Sequence, residues 1–235
     1  MSQPALSVAF FDPARQVHGL ARSGATLLFE GSRSLVLDEP ARLEASGEGW
    51  AAAVDNRFEV RLEPVSDPVE LAGSRVRVCT VTGTVAGTPL DGLGTVSETL
   101  RAPAWEELDA VRAISILADP GHALLAVARR PRGVAGHSEE LVSAALIAEG
   151  EVKAVEDARL STVYDGEGRQ RSAGLELWLP GEDFPRRASG AVAAGSSLEL
   201  EGLDVHAAVF RWRLEGQEAF GQYELALRAP APDAA

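Results

Sequence analysis

The stretch Val69-Glu70-Leu71-Ala72-Gly73 recurs downstream as Leu198-Glu199-Leu200-Glu201-Gly202, and this duplication decides the fold. The match continues without a gap to Gly87 in the first copy and Gly216 in the second. A repeat of this length indicates two copies of one structural unit. Upstream segments match in the same order: residues 7–13 with 115–120, and residues 39–43 with 156–160.

Apolar and charged side chains alternate with a period of two along much of the chain. Phe58, Val60 and Leu62 share one face and are separated by charged residues, and residues 175–179 and 205–214 repeat the pattern. This period is typical of antiparallel strands with one buried face. Residues 138–147 fit a helix nearly as well, but the repeat favours a strand, and residues 103–108 are compatible with one helical turn.

We therefore predict an all-β protein of two duplicated antiparallel units, each a barrel or a sandwich. The repeat places the first unit in residues 1–100 and the second in residues 101–228, and residues 229–235 form an Ala/Pro-rich tail that we expect to be flexible.

Composition limits the classes of function. A net charge of −13 argues against nucleic acid as a partner, because binding a polyphosphate requires clustered Lys and Arg. No apolar run is long enough for a membrane span and the first residues do not resemble a signal peptide, so we expect a cytoplasmic protein. Cys79 is the only cysteine, which excludes an internal disulfide and a thiolate metal cluster. We expect no cofactor, since Gly92-Leu93-Gly94 lacks the rest of a dinucleotide motif.

Four segments carry a resemblance to a known family: residues 92–98, 105–115 and 130–140, and the closing Gly221-Gln222-Tyr223-Glu224. Together they resemble AttH-like proteins, which are relatives of the carotenoid hydratase hydroxyneurosporene synthase. The resemblance implies two tandem lipocalin-like (calycin) β-units and a hydrophobic ligand. The family's central block usually has a polar run with His, Ser or Asp before a Trp-Gly pair and a second Trp. Here residues 95–102 lack the His and the Trp-Gly pair, whereas Trp105 is present. The family's catalytic residues are therefore not carried over.

The strand after Asp204 supplies one group of candidate residues. His206, Phe210 and Trp212 share one face, and the first copy has Arg77 where the second has His206. An inward apolar stripe with a cation or an imidazole at its mouth suits an amphipathic ligand. We therefore take His206 as a candidate proton-transfer residue, and Arg77, Phe210 and Trp212 as candidate ligand contacts. The alternative is a core histidine that is hydrogen-bonded to a neighbouring carbonyl.

Glu98 and Glu224 form a second candidate pair, because each follows a glycine on the last strand of its copy. Paired carboxylates serve as acid and base when one of them is desolvated. The alternative is that both are outward-facing surface residues.

Three further residues are candidate ligand contacts. On a strand, His137 and Glu139 share a face, which allows a hydrogen bond between them; the alternative, which the weak His-x-Glu pattern favours, is that both are surface residues. Trp178 lies beside Glu176 on a polar face and predicts either a ligand wall or a contact between the units. The histidines lack the spacing of a zinc site, so we expect no metal.

The leading hypothesis is a protein that binds a hydrophobic small molecule, such as an isoprenoid, a polyketide or a lipid, in a β-barrel cavity. The sequence does not decide whether the ligand is also transformed; an enzyme would use cofactor-free acid–base chemistry of the hydratase or isomerase kind. The alternative is a structural or interaction protein whose barrels are filled by their own side chains. The sequence leaves the oligomeric state open.

Overall fold

The computed structural model describes residues 5–22, 24–134 and 139–228, and it consists of two consecutive antiparallel β-sheets. The first sheet, called unit 1, contains β1 (Ala5–Asp12), β2 (Val17–Arg22), β3 (Ala25–Glu30), β4 (Arg33–Leu37), β5 (Arg42–Ser46), β6 (Gly49–Val54), β7 (Phe58–Pro64), β8 (Val69–Leu71), β9 (Ser74–Val85) and β10 (Thr88–Thr99). The second, called unit 2, contains β11 (Leu108–Asp119), β12 (His122–Pro131), β13 (Leu141–Ala148), β14 (Glu151–Ala154), β15 (Asp157–Tyr164), β16 (Gln170–Trp178), β17 (Arg186–Leu200), β18 (Leu203–Leu214) and β19 (Gln217–Arg228).

The two sheets have the same topology. Unit 1 has the order β4-β3-β2-β1-β10-β9-β7-β6-β5, with β8 pairing to β9, and unit 2 has the order β14-β13-β12-β11-β19-β18-β17-β16-β15. In each unit the first strand pairs with the last, through β1–β10 and β11–β19. The duplication seen in the sequence is thus a duplication of strand order. The predicted boundary at residue 100 falls between β10 and β11, and the division into two domains stays a prediction.

The repeated glycines mark equivalent hairpin turns. Ala72 and Gly73 have φ values of 50° and 91°, and Glu201 and Gly202 have φ values of 54° and 77°. Two consecutive residues with positive φ form the type I′ turn, which matches the twist of the flanking strands. The turn before Gly87 and the one before Gly216 are built in the same way. Glycine recurs because this conformation is strained for residues that carry a Cβ.

Three apolar clusters fill the molecule. One lies inside unit 1 and includes Phe10 and Leu62, and a second lies inside unit 2 and includes Phe210 and Trp212. The third cluster joins the units, and it contains residues of both sheets: Ala9, Phe11, Leu20, Leu27 and Phe29 of unit 1, and Leu117, Leu125, Ile147 and Val209 of unit 2. Strands that lie between two clusters are buried on both faces. In β12, for example, the four consecutive residues 123–126 are all buried. These strands therefore do not show the two-residue alternation.

Neither of the two ambiguous segments forms an α-helix in the part of the chain that the structure describes. Leu141–Ala148 is strand β13, as the repeat predicted. The segment before β11 forms a hydrogen-bonded turn, in which the Trp105 amide donates to the Pro103 carbonyl at 3.0 Å. Over the described part of the chain, no helix is long and apolar enough to cross a membrane.

Candidate functional site

A cleft with a volume of about 490 Å³ lies between the two units. Strands β1, β2, β3, β8, β9 and β10 contribute residues from unit 1, and β11, β12, β17, β18 and β19 contribute residues from unit 2. This volume is in the range of small-molecule pockets. Apolar side chains form much of the wall, among them Leu27, Val76, Val111, Val127, Leu198 and Leu203. We call this space the inter-unit cleft.

One ion pair crosses the inter-unit cleft. Arg22 of β2 donates from Nη1 to Oε1 of Glu224 on β19 at 2.7 Å. The side chains are 29% and 20% exposed, so both are largely withdrawn from bulk water but accessible from the cleft. The pair places a cation from one unit against a carboxylate from the other. A site with both charges therefore exists only when the two units are in contact.

Small side chains surround the ion pair. Glu224 is paired across the sheet with Ala113 of β11 and Ala207 of β18. Arg22 is paired with Ser7 of β1 and Ala25 of β3. All four neighbours also line the inter-unit cleft, with Arg22 and Glu224. Because directly opposed side chains fill the space beside each other in a sheet, these small residues leave room over the charged groups.

Glu98 and Glu224 are not equivalent, contrary to the sequence prediction. The gapless repeat, which aligns Gly87 with Gly216, pairs Glu224 with Thr95, and Thr95 also lines the inter-unit cleft. Glu98 shares a strand face with Val96, a residue of the unit 1 core. Glu98 therefore lies on the interior side of unit 1, whereas Glu224 lines the inter-unit cleft, and the two carboxylates do not share a site.

Glu98 belongs to a separate cluster at one end of the unit 1 interior. Its carboxylate lies 3.6 Å from Arg75 Nη1 and 3.5 Å from Arg77 Nη1. The Arg77 guanidinium also lies over the Trp50 ring, 5.3 Å from the ring centroid. Neither Arg77 nor Glu98 lines the inter-unit cleft.

His206 lies on the inner face of β18, as the alternation predicted. It is half-buried, and its Nδ1 is 2.6 Å from Ser197 Oγ on β17. On the same face, Phe210 and Trp212 are 0% and 2% exposed and stack on each other at 5.0 Å. The structure thus packs Phe210 and Trp212 into the unit 2 core. His206 is not among the residues that line the inter-unit cleft.

The remaining predicted contacts do not meet at one place. Trp178 packs on the outer side of unit 2 beneath Arg159, whose guanidinium is 4.7 Å from the ring centroid. Glu139 is exposed, and His137 lies outside the described residues. Among residues 5–22, 24–134 and 139–228, no group of three or more His, Cys, Asp and Glu side chains is arranged to hold a metal ion. Burial raises the pKa of the Cys79 thiol to about 12, which leaves it protonated and unreactive at neutral pH.

A buried polar cluster inside unit 2 was not among the sites predicted from the sequence. Arg112 forms a short ion pair with Glu140, both with side chains only 2% exposed, and donates from Nε to Tyr164 Oη at 3.0 Å. The Tyr223 hydroxyl lies 2.6 Å from Thr162 Oγ1, and burial raises the pKa of Tyr223. Burial alone lowers the pKa of Arg112, but the hydrogen bond to Glu140 helps to outweigh it and the net shift is upward. The signal was in the strand pattern, since Arg112 occupies an inward position between Ala110 and Ile114.

His18 is a buried imidazole at the contact between the units. The side chain is 3% exposed. Its ring centroid lies 5.8 Å from that of Phe11 in unit 1 and 5.9 Å from that of Phe220 in unit 2. Its Nδ1 has no hydrogen-bond partner among the described residues. Burial lowers the pKa of His18 to about 4; the carboxylate of Asp12 opposes the shift and Arg211 adds to it. The neutral form is thus the one that fits the contact.

We expect His18 to make the protein less stable as the pH is lowered. Its folded pKa of about 4 lies below the ordinary value of 6.5, so its contribution is fully present above pH 6.5 and is lost as the pH falls toward 4. Urea unfolding measures the free energy of unfolding at pH 7 and at pH 4. Between these two pH values it should decrease by about 3 kcal/mol more in the wild type than in His18→Phe. Equal decreases in the two proteins would contradict this assignment.

Two crystal structures show what the fold is similar to. A Nitrosomonas europaea protein provisionally designated AttH matches with a TM-score of 0.61 and 14% identity, over 95% of this chain and 92% of that one. Kievitone hydratase from Nectria haematococca matches with a TM-score of 0.56 and 9% identity, over 97% of this chain and 90% of that one. No family model and no curated protein sequence matches the chain. The predicted AttH-like, tandem lipocalin-like architecture is thereby confirmed as a fold.

Proposed function

We propose that the protein binds a hydrophobic small molecule, such as an isoprenoid, a polyketide or a lipid, in the inter-unit cleft. The observation that carries this proposal is a cleft of about 490 Å³ whose apolar walls surround one ion pair. Ligand pockets typically combine apolar walls with a few polar groups that fix orientation. An apolar molecule with one polar end matches this arrangement, with its polar end at Arg22 and Glu224.

The location differs from the barrel cavity that the sequence suggested. Large side chains occupy the interior of each unit, with Phe10 and Leu62 in unit 1 and Phe210, Trp212 and Tyr223 in unit 2. The ligand would therefore contact both units and stabilise their association. One of the two similar structures is named as a hydratase, which is compatible with a small organic ligand for this fold.

Filling the inter-unit cleft should weaken ligand binding. Ala113 is half-buried, lines the cleft and lies opposite Glu224, so Ala113→Trp places an indole in the proposed ligand space. We expect this variant to bind anilinonaphthalene sulfonate, an apolar anionic dye, at least about tenfold more weakly than the wild type. The measurement is a fluorescence titration, with circular dichroism to confirm folding.

Ala191→Trp is the matched control, because Ala191 is an exposed residue of β17 that does not line the cleft. Its dye affinity should equal that of the wild type. Organic extraction and mass spectrometry of the purified proteins should likewise find co-purifying apolar compounds in the wild type and in Ala191→Trp, and not in Ala113→Trp. Equal dye affinity in all three proteins would refute binding in this cleft.

The packed interiors favour one other function, a structural or interaction protein with filled units. That function predicts that the wild type neither binds the dye in its folded state nor retains an apolar compound after purification. The same titration and extraction therefore distinguish the two.

A further inference from the structure

The inter-unit cleft contains more than an orienting charge. The Arg22 guanidinium carries five N–H donors, and within the described residues it makes only the hydrogen bond to Glu224 Oε1. Glu224 Oε2 accepts no hydrogen bond from the described residues. Both groups line the cleft, so the remaining donors and the second carboxylate oxygen are available to a ligand.

We propose that Glu224 is a general base and Arg22 an oxyanion-stabilising group for an apolar ketone, so that the cleft catalyses proton transfer at the carbon next to the carbonyl. This rests on the proposed function, because it assigns a substrate class and a reaction to the same cleft. The Glu224 carboxylate oxygen Oε2 accepts no hydrogen bond from the described residues, so its lone pairs are open to a proton from a ligand, which fits a base. Donors beside it fit the position where negative charge develops in an enolate.

The proton transfer balances without a cofactor. The C–H bond next to the carbonyl breaks, an O–H bond forms on Glu224, and the electron pair moves to the carbonyl oxygen, where Arg22 donates to the enolate. Glu224 then returns the proton to the same carbon. If the ketone also carries a neighbouring C=C bond, so that the enolate is conjugated with it, the proton can instead go to the far carbon of that bond. The first outcome exchanges hydrogen with the solvent when the Glu224 proton equilibrates with water, and the second moves a double bond.

The duplication supports a specific role for the charge. The first copy has Thr95, a buried and uncharged residue, where the second copy has Glu224. The same strand position is thus built without a carboxylate in unit 1, so the fold itself does not need one there. Ala113 and Ala207 beside Glu224 leave the space that a substrate requires.

The test uses β-ionone, an apolar isoprenoid ketone with exchangeable methyl hydrogens, incubated with the protein in heavy water. We expect the wild type to accelerate deuterium incorporation, measured by mass spectrometry. Glu224→Gln should lower the protein-dependent rate at least about a hundredfold, while the Kd for β-ionone from calorimetry changes less than about threefold. Arg22→Gln should also lower the rate, because the enolate loses its donors.

The control is Glu176→Gln, which alters a glutamate paired with Arg187 at 3.1 Å on the outer surface and should keep the wild-type rate. Binding of β-ionone without accelerated exchange, or an unchanged rate in Glu224→Gln, would overturn the catalytic assignment and leave the proposed binding function intact. If the dye binds in the cleft and β-ionone does not, the ketone class is wrong. If neither binds, the binding function itself fails.

Discussion

Arg112→Met is expected to lower the free energy of unfolding by about 3–5 kcal/mol. Arg112 and Glu140 are each only 2% exposed, and their ion pair lies inside unit 2. Removing the cation takes away the guanidinium that compensates the buried Glu140 carboxylate, and breaking a buried ion pair by removing one member costs far more than the pair stabilises. The Tyr164 hydroxyl loses its hydrogen bond from Arg112 Nε at the same time.

Chemical unfolding of three variants separates these contributions. The double variant Arg112→Met/Glu140→Met removes both charges and should recover most of the stability that Arg112→Met loses. Arg42→Met breaks the exposed pair with Asp55, whose side chains are 59% and 67% exposed, and should lower the stability far less than Arg112→Met. A double variant as unstable as Arg112→Met would show that losing the guanidinium beside the buried Glu140 carboxylate is not the cause.

Phe210→Ala should cost a similar amount, about 3–5 kcal/mol, for a different reason. The Phe210 side chain is fully buried, its ring lies 5.0 Å from Trp212 and 5.4 Å from Tyr223, and its removal leaves a cavity in the unit 2 core. A ligand-lining aromatic would affect binding more than stability. Phe210 is expected to do the opposite.

Urea unfolding and dye titration test this distinction in the same samples. Phe184→Ala, at a side chain that is 81% exposed, should change stability by less than about 0.5 kcal/mol. Phe210→Leu keeps most of the volume and should retain the wild-type affinity for the dye. A Phe210→Leu variant that folds normally but loses dye affinity would place the ligand inside unit 2.

The fold was predictable because the duplication and the two-residue alternation both indicate two antiparallel β-units. The repeated Gly73/Gly202 and Gly87/Gly216 mark hairpin turns that both units require. The inter-unit contact was not predictable in the same way. Val8, Ala9, Phe10 and Phe11 are all buried because β1 has a cluster on each side, and a continuous apolar run does not show which residues face which cluster.

The candidate site was predicted only in part for a related reason. Glu224 was named from the sequence, but Arg22, 202 residues away, has no local pattern that connects it to Glu224. The equivalence drawn between Glu98 and Glu224 was out of register by three residues, and an odd error in register moves a side chain to the opposite face of a strand. Sequence spacing thus identified the strands, but it did not show which face of each strand lines the inter-unit cleft.

The third apolar cluster has a consequence for how the chain is made. Synthesis from the amino end delivers all the strands of unit 1 before β11 leaves the ribosome, so Ala9, Phe11, Leu20, Leu27 and Phe29 then lack the residues that cover them in the native protein. Exposed apolar surface on a nascent sheet is prone to aggregation and is the kind of surface that chaperones bind. The second copy is therefore also the cover for the first, and translation of its strands ends the period in which the nascent chain needs protection.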